Sequence, residues 1–140
     1  MNREAIYSAL FSRLANLPGV MTASRRLRHW SDVGMSEQPA VFMSQKNETA
    51  AKTQGTASIW TFAVDVYLYV KVQGNDAPGP ALNPLLDAIE AALAPDNPIK
   101  NTCTLGGLVH HCRIDGSIET DEGTLGDQAV AIVPILILAT

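Results

Sequence analysis

The amino-acid sequence predicts a single α+β domain in which two helices cover one face of a mainly antiparallel sheet of about five strands. The length of 140 residues is that of one domain, so residues 1–140 are treated as one unit. A long alternating apolar run in the middle of the chain predicts a strand, and a helical apolar pattern lies on each side of it. Turns between neighbouring strands favour antiparallel pairing, which gives the order α-β-β-β-α-β-β in a two-layer sandwich.

The first helix is expected over residues 2–16. Apolar residues recur there at three- and four-residue spacings, Asn2 is a suitable N-cap, and a Pro-Gly pair ends the pattern. An extended segment over residues 20–30 follows and contains a basic cluster. The members of this basic cluster are Arg25, Arg26 and Arg28.

A polar stretch over residues 45–58 predicts a loop, which follows a short strand over residues 40–44. A loop of this length is uncommon in a compact domain and is usually functional or mobile. Its charged side chains Lys46, Glu48 and Lys52 are therefore candidate contacts to a partner protein.

The clearest strand is predicted over residues 58–72. One face of this strand is continuously apolar and consists of Trp60, Phe62, Val64, Val66, Leu68, Val70 and Val72. The opposite face mixes apolar, aromatic and charged residues, which is typical of a surface that meets another protein. We take Asp65, Tyr67 and Tyr69 from this face as candidate subunit-interface residues. Asp65 is either a solvent-facing strand residue or the partner of an arginine of the basic cluster in a neighbouring subunit.

Four more elements complete the expected fold. A helix is expected over residues 81–94, a strand over residues 105–118, an acidic turn over residues 120–126 and a last strand over residues 129–138. Pro134 interrupts the last strand and is expected at a sheet edge or a bulge, because proline has no N–H to donate to a neighbouring strand.

Composition excludes some classes of function. The net charge of −4 argues against a nucleic-acid-binding module, which normally presents a basic face. Charged residues make up 17% of the chain, which is low for a small domain and favours a surface partly covered by a partner. The first residues lack the apolar block of a signal peptide, and the apolar tail is too short to span a bilayer. The sequence therefore predicts a protein made in the cytoplasm, without a membrane partner.

The residues that most resemble a chemical site are Cys103, His110 and Cys112, which are of the types that bind zinc. They lack a second paired motif and a fourth ligand, so two free thiols and surface histidines are the simpler interpretation. No nucleophile-elbow pattern surrounds any serine, and the Gly106-Gly107 pair lacks the lysine of a phosphate-binding loop. We predict no enzyme activity, no cofactor and no metal site, with a small metal- or ligand-binding domain as an alternative.

Seven short segments are informative together through their order along the chain. These segments are Leu17-Pro18-Gly19-Val20, Arg28-His29-Trp30, Gln38-Pro39-Ala40-Val41-Phe42, the strand from Trp60 to Tyr69, Leu82-Asn83-Pro84-Leu85-Leu86-Asp87-Ala88-Ile89, Thr104-Leu105-Gly106-Gly107 and Gly126-Asp127-Gln128-Ala129-Val130-Ala131-Ile132. Together they cover most of the chain, and the chain resembles the tail terminator (minor tail protein U-like) proteins of tailed bacteriophages and prophages.

The resemblance implies a structural protein that forms a ring, usually a hexamer, in the host cytoplasm and remains in the virion tail. Such a ring caps the tail tube, stops its polymerisation and joins the tail to the head. Its partners would be other copies of itself, the tail tube protein and the head–tail connector protein, with no sequence-specific binding of nucleic acid. Lys46, Glu48 and Lys52 would then contact the tube or the neck. Another head–tail neck or completion protein is the alternative within the same class.

Overall fold

The computed structural model describes residues 1–122 and 126–140 of the chain. This part of the chain contains two α-helices, α1 (Arg3–Ala15) and α2 (Gly79–Ala92). The strands are β1 (Thr22–Ser24), β2 (Ala40–Ala51), β3 (Ile59–Lys71), β4 (His111–Ile114), β5 (Glu119–Glu122) and β6 (Gln128–Ala139). The predicted α+β class is confirmed, with one strand more than the sequence indicates. No helix in the described part of the chain is both long enough and apolar enough to cross a membrane.

The described strands form one sheet in the order β1-β2-β3-β6-β4, in which β5 also pairs with β6. β1 runs parallel to β2, and every other pair is antiparallel. β6 pairs with β3 along its whole length, from Gln128 to Ala139. Its other edge is shared between two short strands, since β4 pairs with residues 135–138 and β5 with residues 129–132. The two most apolar strands therefore lie side by side inside the sheet.

Both helices contribute to the main core on one face of the sheet. Phe62 of β3, Leu10 of α1 and Ile89 of α2 are fully buried in this core, so the predicted apolar face of the long strand is confirmed. The start of α1 is also as expected, because the side chain of Asn2 accepts a hydrogen bond from the Ala5 amide at 3.0 Å. We call this side of the sheet the helix face, and the opposite side the second face.

The loop predicted over residues 45–58 is wrong for its first half, because β2 continues to Ala51. The added residues pair with β3 after a bulge between Gln45 and Asn47. Backbone hydrogen bonds to β3 hold this extension in the sheet. Its side chains are exposed and polar, so the sequence shows no apolar alternation from which a strand could be predicted. The connection between β2 and β3 is thereby reduced to residues 52–58.

The strand predicted over residues 105–118 is too long. Only β4 is strand, because the preceding residues form a turn in which the amides of Gly107 and Val109 both donate to the Thr104 carbonyl at 3.1 Å. Gly106 and Gly107 have φ values of 77° and 94°, a region that glycine enters without the steric cost of a side chain. The glycine pair therefore makes a tight turn ahead of β4.

Two other boundaries differ from expectation. The acidic segment predicted as a turn over residues 120–126 begins as strand, since β5 pairs with β6, and residues 123–125 of that prediction lie outside the described residues. The extended segment over residues 20–30 contains the short strand β1 and ends at a 3₁₀ turn, Trp30–Asp32, which is followed by a second, Met35–Glu37.

Pro134 lies in the central strand β6, so its predicted place at an edge or a bulge is wrong. It pairs with Asp65 of β3, and on its other side it falls between the residues paired with β4 and those paired with β5. Its carbonyl accepts a hydrogen bond from the Asp115 amide at 3.0 Å, so the position of the missing N–H faces this interruption. Gly116 passes close to the proline ring, where a Cβ would lie 3.3 Å from Pro134 Cγ.

Candidate functional site

The second face of the sheet carries a separate small apolar cluster. Its buried members are Val33, Ala40, Phe42, Tyr69 and Val130, with Trp30, Tyr67 and Ile132 packed partly buried against them. The strand residues come from β2, β3 and β6 and lie side by side across the sheet, since Tyr67 pairs with both Phe42 and Ile132. The covering residues are Trp30, in the first 3₁₀ turn, and Val33, which directly follows that turn. The second face is therefore partly closed by residues 28–38, which we call the covering segment, in place of a helix.

Polar contacts of Arg28 hold this covering segment in shape. The guanidinium donates to both carboxylate oxygens of Glu37, at 3.0 and 3.1 Å, and to the Asp32 carbonyl at 2.5 Å. The Gly34 amide donates to the same Glu37 carboxylate at 2.8 Å. The Arg28 hydrogen bond and the Gly34 amide both lower the pKa of Glu37 below its usual value, because both stabilise the ionised carboxylate.

Two further bonds tie the segment to the sheet beneath it. The hydroxyl of Tyr69 donates to the Arg28 carbonyl at 2.6 Å. The amide of the buried Gln38 donates to Gln128 Oε1 of β6 at 2.7 Å, and within the segment it also donates to the Val33 carbonyl at 3.1 Å. Because these donors are buried or half-buried, their loss would leave polar groups unsatisfied. The segment therefore belongs to the folded domain.

Between this segment and the sheet there is an open, mainly apolar groove of about 440 Å³. We call it the Trp30 groove; its lining residues are Leu27, Arg28, His29, Trp30, Tyr67, Tyr69, Asp121, Val130 and Ile132. One wall is the second face of β3 and β6, and one rim is the acidic strand β5. An apolar hollow with a charged rim is the usual form of a surface that receives a side chain of a partner.

The three residues predicted from β3 have different surroundings. Tyr67 is half-buried and lines the Trp30 groove, which keeps it available to a partner. Tyr69 is 3% exposed, so in this fold it supports the groove from beneath. Asp65 lies 3.8 Å from the Lys46 ammonium of its own chain. The predicted interface roles of these residues stay predictions, and Tyr67 has the most suitable position.

The basic cluster is divided between two places. Arg25 donates to the Glu4 carboxylate and, at 3.1 Å, to Gln45 Oε1, which ties the end of β1 to α1 and β2. Arg28 holds the covering segment, as described above. Arg26 is exposed. Since Asp65 already has Lys46 as a partner within the chain, the predicted intersubunit ion pair would have to compete with existing pairs for Arg25 or Arg28.

The candidate contact residues of the predicted loop lie mostly on β2. Lys46 and Glu48 belong to the strand, and only Lys52 follows its end. Glu48 accepts hydrogen bonds from Arg3 Nε at 2.7 Å and from the Tyr7 hydroxyl at 3.0 Å. The description of Lys46 and Glu48 as loop residues is corrected, and Glu48 instead attaches the start of α1 to the strand.

The cysteines and histidines do not assemble into a chelating group. Cys103 and Cys112 are buried, and burial raises the pKa of the Cys112 thiol to about 12. His110 is turned to Thr140, with 3.0 Å between Nε2 and Oγ1. His111 lines a second cavity of about 570 Å³ at the edge of β4, together with both cysteines. No group of three His, Cys, Asp or Glu side chains able to hold a metal occurs in residues 1–122 and 126–140.

The sequence pattern missed the Trp30 groove because its two walls are far apart in the chain. Trp30 and Ile132 meet only through the pairing of β3 with β6 and the fold of the covering segment. The acidic rim was missed for a similar reason, since Asp121 was expected in a turn and Glu119 was assigned to no element. A signal in the sequence was that β6 alternates in burial as β3 does, which indicates that both strands have residues on the second face.

No protein-family model and no curated protein matches the sequence. Solved structures with the same fold exist at low sequence identity. One of them, whose name describes no activity, is 16% identical with a TM-score of 0.56, and the match covers 100% of this chain and 97% of the other. A chain of the virion of a native gene transfer agent (GTA) particle is 12% identical with a TM-score of 0.54, covering 96% of this chain and 94% of the other. These matches establish a shared fold over nearly the whole chain.

Proposed function

We propose that the chain is a structural protein of a phage-like particle, and within that class a tail terminator. The observation that carries the proposal is the likeness in fold, over 96% of this chain, to a chain of a gene transfer agent virion. The order of short segments that resembles the tail terminator family supports the finer assignment. On this proposal the chain forms a hexameric ring that caps the tail tube, stops its polymerisation and joins it to the head.

The charge distribution supports this role. A ring through which DNA passes is helped by a weakly acidic protein, because a lysine-lined lumen would retain the phosphate backbone. The net charge of −4 and the internal pairing of Arg3, Arg13, Arg25 and Arg28 with acidic groups leave little free basic surface. The partners on this proposal are other copies of the chain, the tail tube protein and the head–tail connector protein, and no enzyme activity is involved.

The proposal is tested by deleting the gene from a cluster that produces complete particles and imaging the products by electron microscopy. A tail terminator predicts tubes of uncontrolled length without heads, which return to uniform length when the chain is supplied from a plasmid. Tails of normal length that fail to join heads would assign the chain to the neck, and intact particles would reject both roles. The purified wild-type particles serve as the control and must contain the chain.

A further inference from the structure

The most exposed large apolar side chain among the described residues is Ile99, which is 94% exposed. It lies in the turn between α2 and β4, over residues 96–102. Isolated apolar residues on a surface are common, so exposure alone assigns no role to Ile99. Two further features favour a binding role for Ile99: the hydrogen bonds that hold its turn, and its positively charged neighbour, Lys100.

The turn that presents Ile99 is held by its own hydrogen bonds. The side chain of Asn97 accepts from the amides of Ile99 and Lys100, at 3.1 Å each. The Asn97 amide donates to the Thr102 carbonyl at 3.0 Å, and the Thr102 amide returns a bond at 3.3 Å. The backbone that carries the isoleucine is therefore held in an outward position, which lowers the cost of ordering the turn when a contact forms there. We call residues 97–102 the Ile99 knob.

A second set of bonds fixes the base of the knob. The carboxylate of Asp96 accepts from the amide and hydroxyl of Thr104, both at 2.7 Å, and from the Gly106 amide at 3.1 Å. These donors, with Arg13 nearby, hold the pKa of Asp96 far below its usual range. The three hydrogen bonds to the Asp96 carboxylate therefore tie the base of the knob to the turn at Thr104 and Gly106.

The Trp30 groove has the complementary properties. It is an apolar hollow of about 440 Å³, which is ample for one isoleucine side chain, and its walls include Trp30, Tyr67 and Ile132. Its rim is acidic, because Glu119 and Asp121 of β5 pair with Ile132 and Val130 and so lie on the second face beside them. The basic Lys100 next to Ile99 matches this rim in charge.

The knob cannot enter the groove of its own chain. The knob follows α2. The chain directly after the knob reaches the edge of the sheet beside β4, where the Cys112 amide donates to the Cys103 carbonyl. The groove lies on the second face, at the half of β6 that pairs with β5. Since the sheet separates the two, a contact between them joins different copies. One patch would meet a different patch of the next copy, and contacts of this heterologous kind build rings or filaments.

We propose that the Ile99 knob of one copy inserts into the Trp30 groove of the next, with Ile99 against Trp30 and Tyr67 and with Lys100 beside Glu119 and Asp121. The occupant of the groove is a second copy of this chain. The contact rests on the proposed function, because a terminator must assemble with copies of itself, and it specifies which surfaces do so. The knob is the anchor of a larger contact, since stable interfaces bury about 800 Å² on each partner.

The test compares self-association of the purified full chain and its variants by sedimentation velocity over a wide concentration range. Ile99→Asp places a charge in the apolar groove and is expected to weaken association by about ten- to a hundredfold. Leu108→Asp is the matched control, because Leu108 is also an exposed apolar residue after α2 and lies outside the groove and the knob. Association of Ile99→Asp equal to that of Leu108→Asp would overturn the proposal, as would a wild-type chain that stays monomeric throughout.

A mixing experiment identifies the two surfaces as partners. Leu27→Asp alters the groove from a loop position, 41% exposed, that contributes to no strand, so the fold is expected to survive it. At a concentration at which the wild-type chain associates but each variant alone is monomeric, an equimolar mixture of Ile99→Asp and Leu27→Asp is expected to form one-to-one dimers, because one copy retains its groove and the other its knob. A mixture without dimers contradicts the contact.

Tyr67→Asp provides a second groove variant if Leu27→Asp fails to fold, with circular dichroism as the check.

The outcome of this test is separable from the outcome of the test of the proposed function. Particles that assemble normally with the Ile99→Asp chain would reject this contact and leave the virion role standing. Loss of association in a chain that never enters particles would support the contact and reject the virion role.

Discussion

The helix face and the second face belong to the same sheet but are closed by different means. On the helix face, α1 and α2 bury an uninterrupted apolar layer that includes Leu10, Phe62 and Ile89, all fully inaccessible. On the second face, a covering segment without a helix buries a smaller cluster and leaves the Trp30 groove open. Packing closes most of the helix face, with polar bonds of Glu48 and Arg25 at its margin, whereas polar bonds hold the covering segment in place on the second face.

The difference separates the stability of the fold from its capacity to bind. Packing of a continuous core is non-directional and tolerates no gap, so the helix face contributes most of the stability. A segment tied by a few directional bonds, such as those of Arg28 and Tyr69, leaves room for a groove that a partner can fill. Substitutions on the two faces should therefore differ in size and in the property that they change.

The largest effect is expected from Phe62→Ala on the helix face. The side chain is 0% exposed and contacts the ring of Tyr7 at a centroid distance of 5.6 Å, so truncation leaves a cavity. We expect a loss of about 3–5 kcal/mol in the free energy of unfolding, measured by urea denaturation. Tyr67→Ala on the second face of the same strand is the matched control, with an expected loss below about 2 kcal/mol because Tyr67 is only half-buried. Equal losses would show that the two faces are equally closed.

A smaller effect is expected from Tyr69→Phe on the second face. The substitution keeps the ring against Phe42 and removes the hydroxyl that donates to the Arg28 carbonyl at 2.6 Å. We expect a loss of about 1–3 kcal/mol, because the carbonyl loses its partner in a half-buried place. Protease sensitivity near Arg28 should rise as well, since the bond ties the covering segment to the sheet. An unchanged cleavage pattern would mean that the segment is held by its other contacts.

Alkaline pH gives a still finer comparison of the two faces. Burial, aided by Glu48, raises the pKa of Tyr7 on the helix face to about 12, and burial beside Tyr67 raises that of Tyr69 to about 12. Because the pKa of both groups rises on folding from an ordinary value near 10, their contribution is complete below pH 10 and is lost as the pH passes through 12. Tyr7→Phe and Tyr69→Phe should each flatten the fall of stability between pH 10 and 12. Parallel curves for wild type and variants would contradict this.

The sequence predicted the helix face well because that face depends on local periodicity. The alternation over residues 58–72 and the helical spacing of α1 each follow from neighbours in the chain. The second face depends on contacts between distant segments, which no local pattern records. Trp30 meets Ile132 only in the folded chain, and β5 becomes a strand because β6 offers it an edge.

The polar extension of β2 and the position of Pro134 follow the same rule. Residues 46–51 read as a loop because their side chains are exposed, although their backbone completes the pairing with β3. Pro134 reads as an edge residue because its missing donor is visible in the sequence, whereas the interruption between β4 and β5 is visible only in the sheet. Side-chain pattern predicts burial, and backbone pairing is decided by the partner strand.

The smallest effect is expected at the ion pair of Lys46 with Asp65, on the part of the second face outside the covering segment. The ammonium lies 3.8 Å from the carboxylate, and its side chain is 59% exposed, so water screens the attraction. We expect Lys46→Ala to change the free energy of unfolding by less than about 0.5 kcal/mol. The released Asp65 would then be available to an arginine of a neighbouring copy, so Lys46→Ala should leave self-association unchanged or strengthen it. Weaker association in Lys46→Ala, with stability unchanged, would instead give Lys46 a direct place in the subunit contact and extend that contact beyond the Trp30 groove.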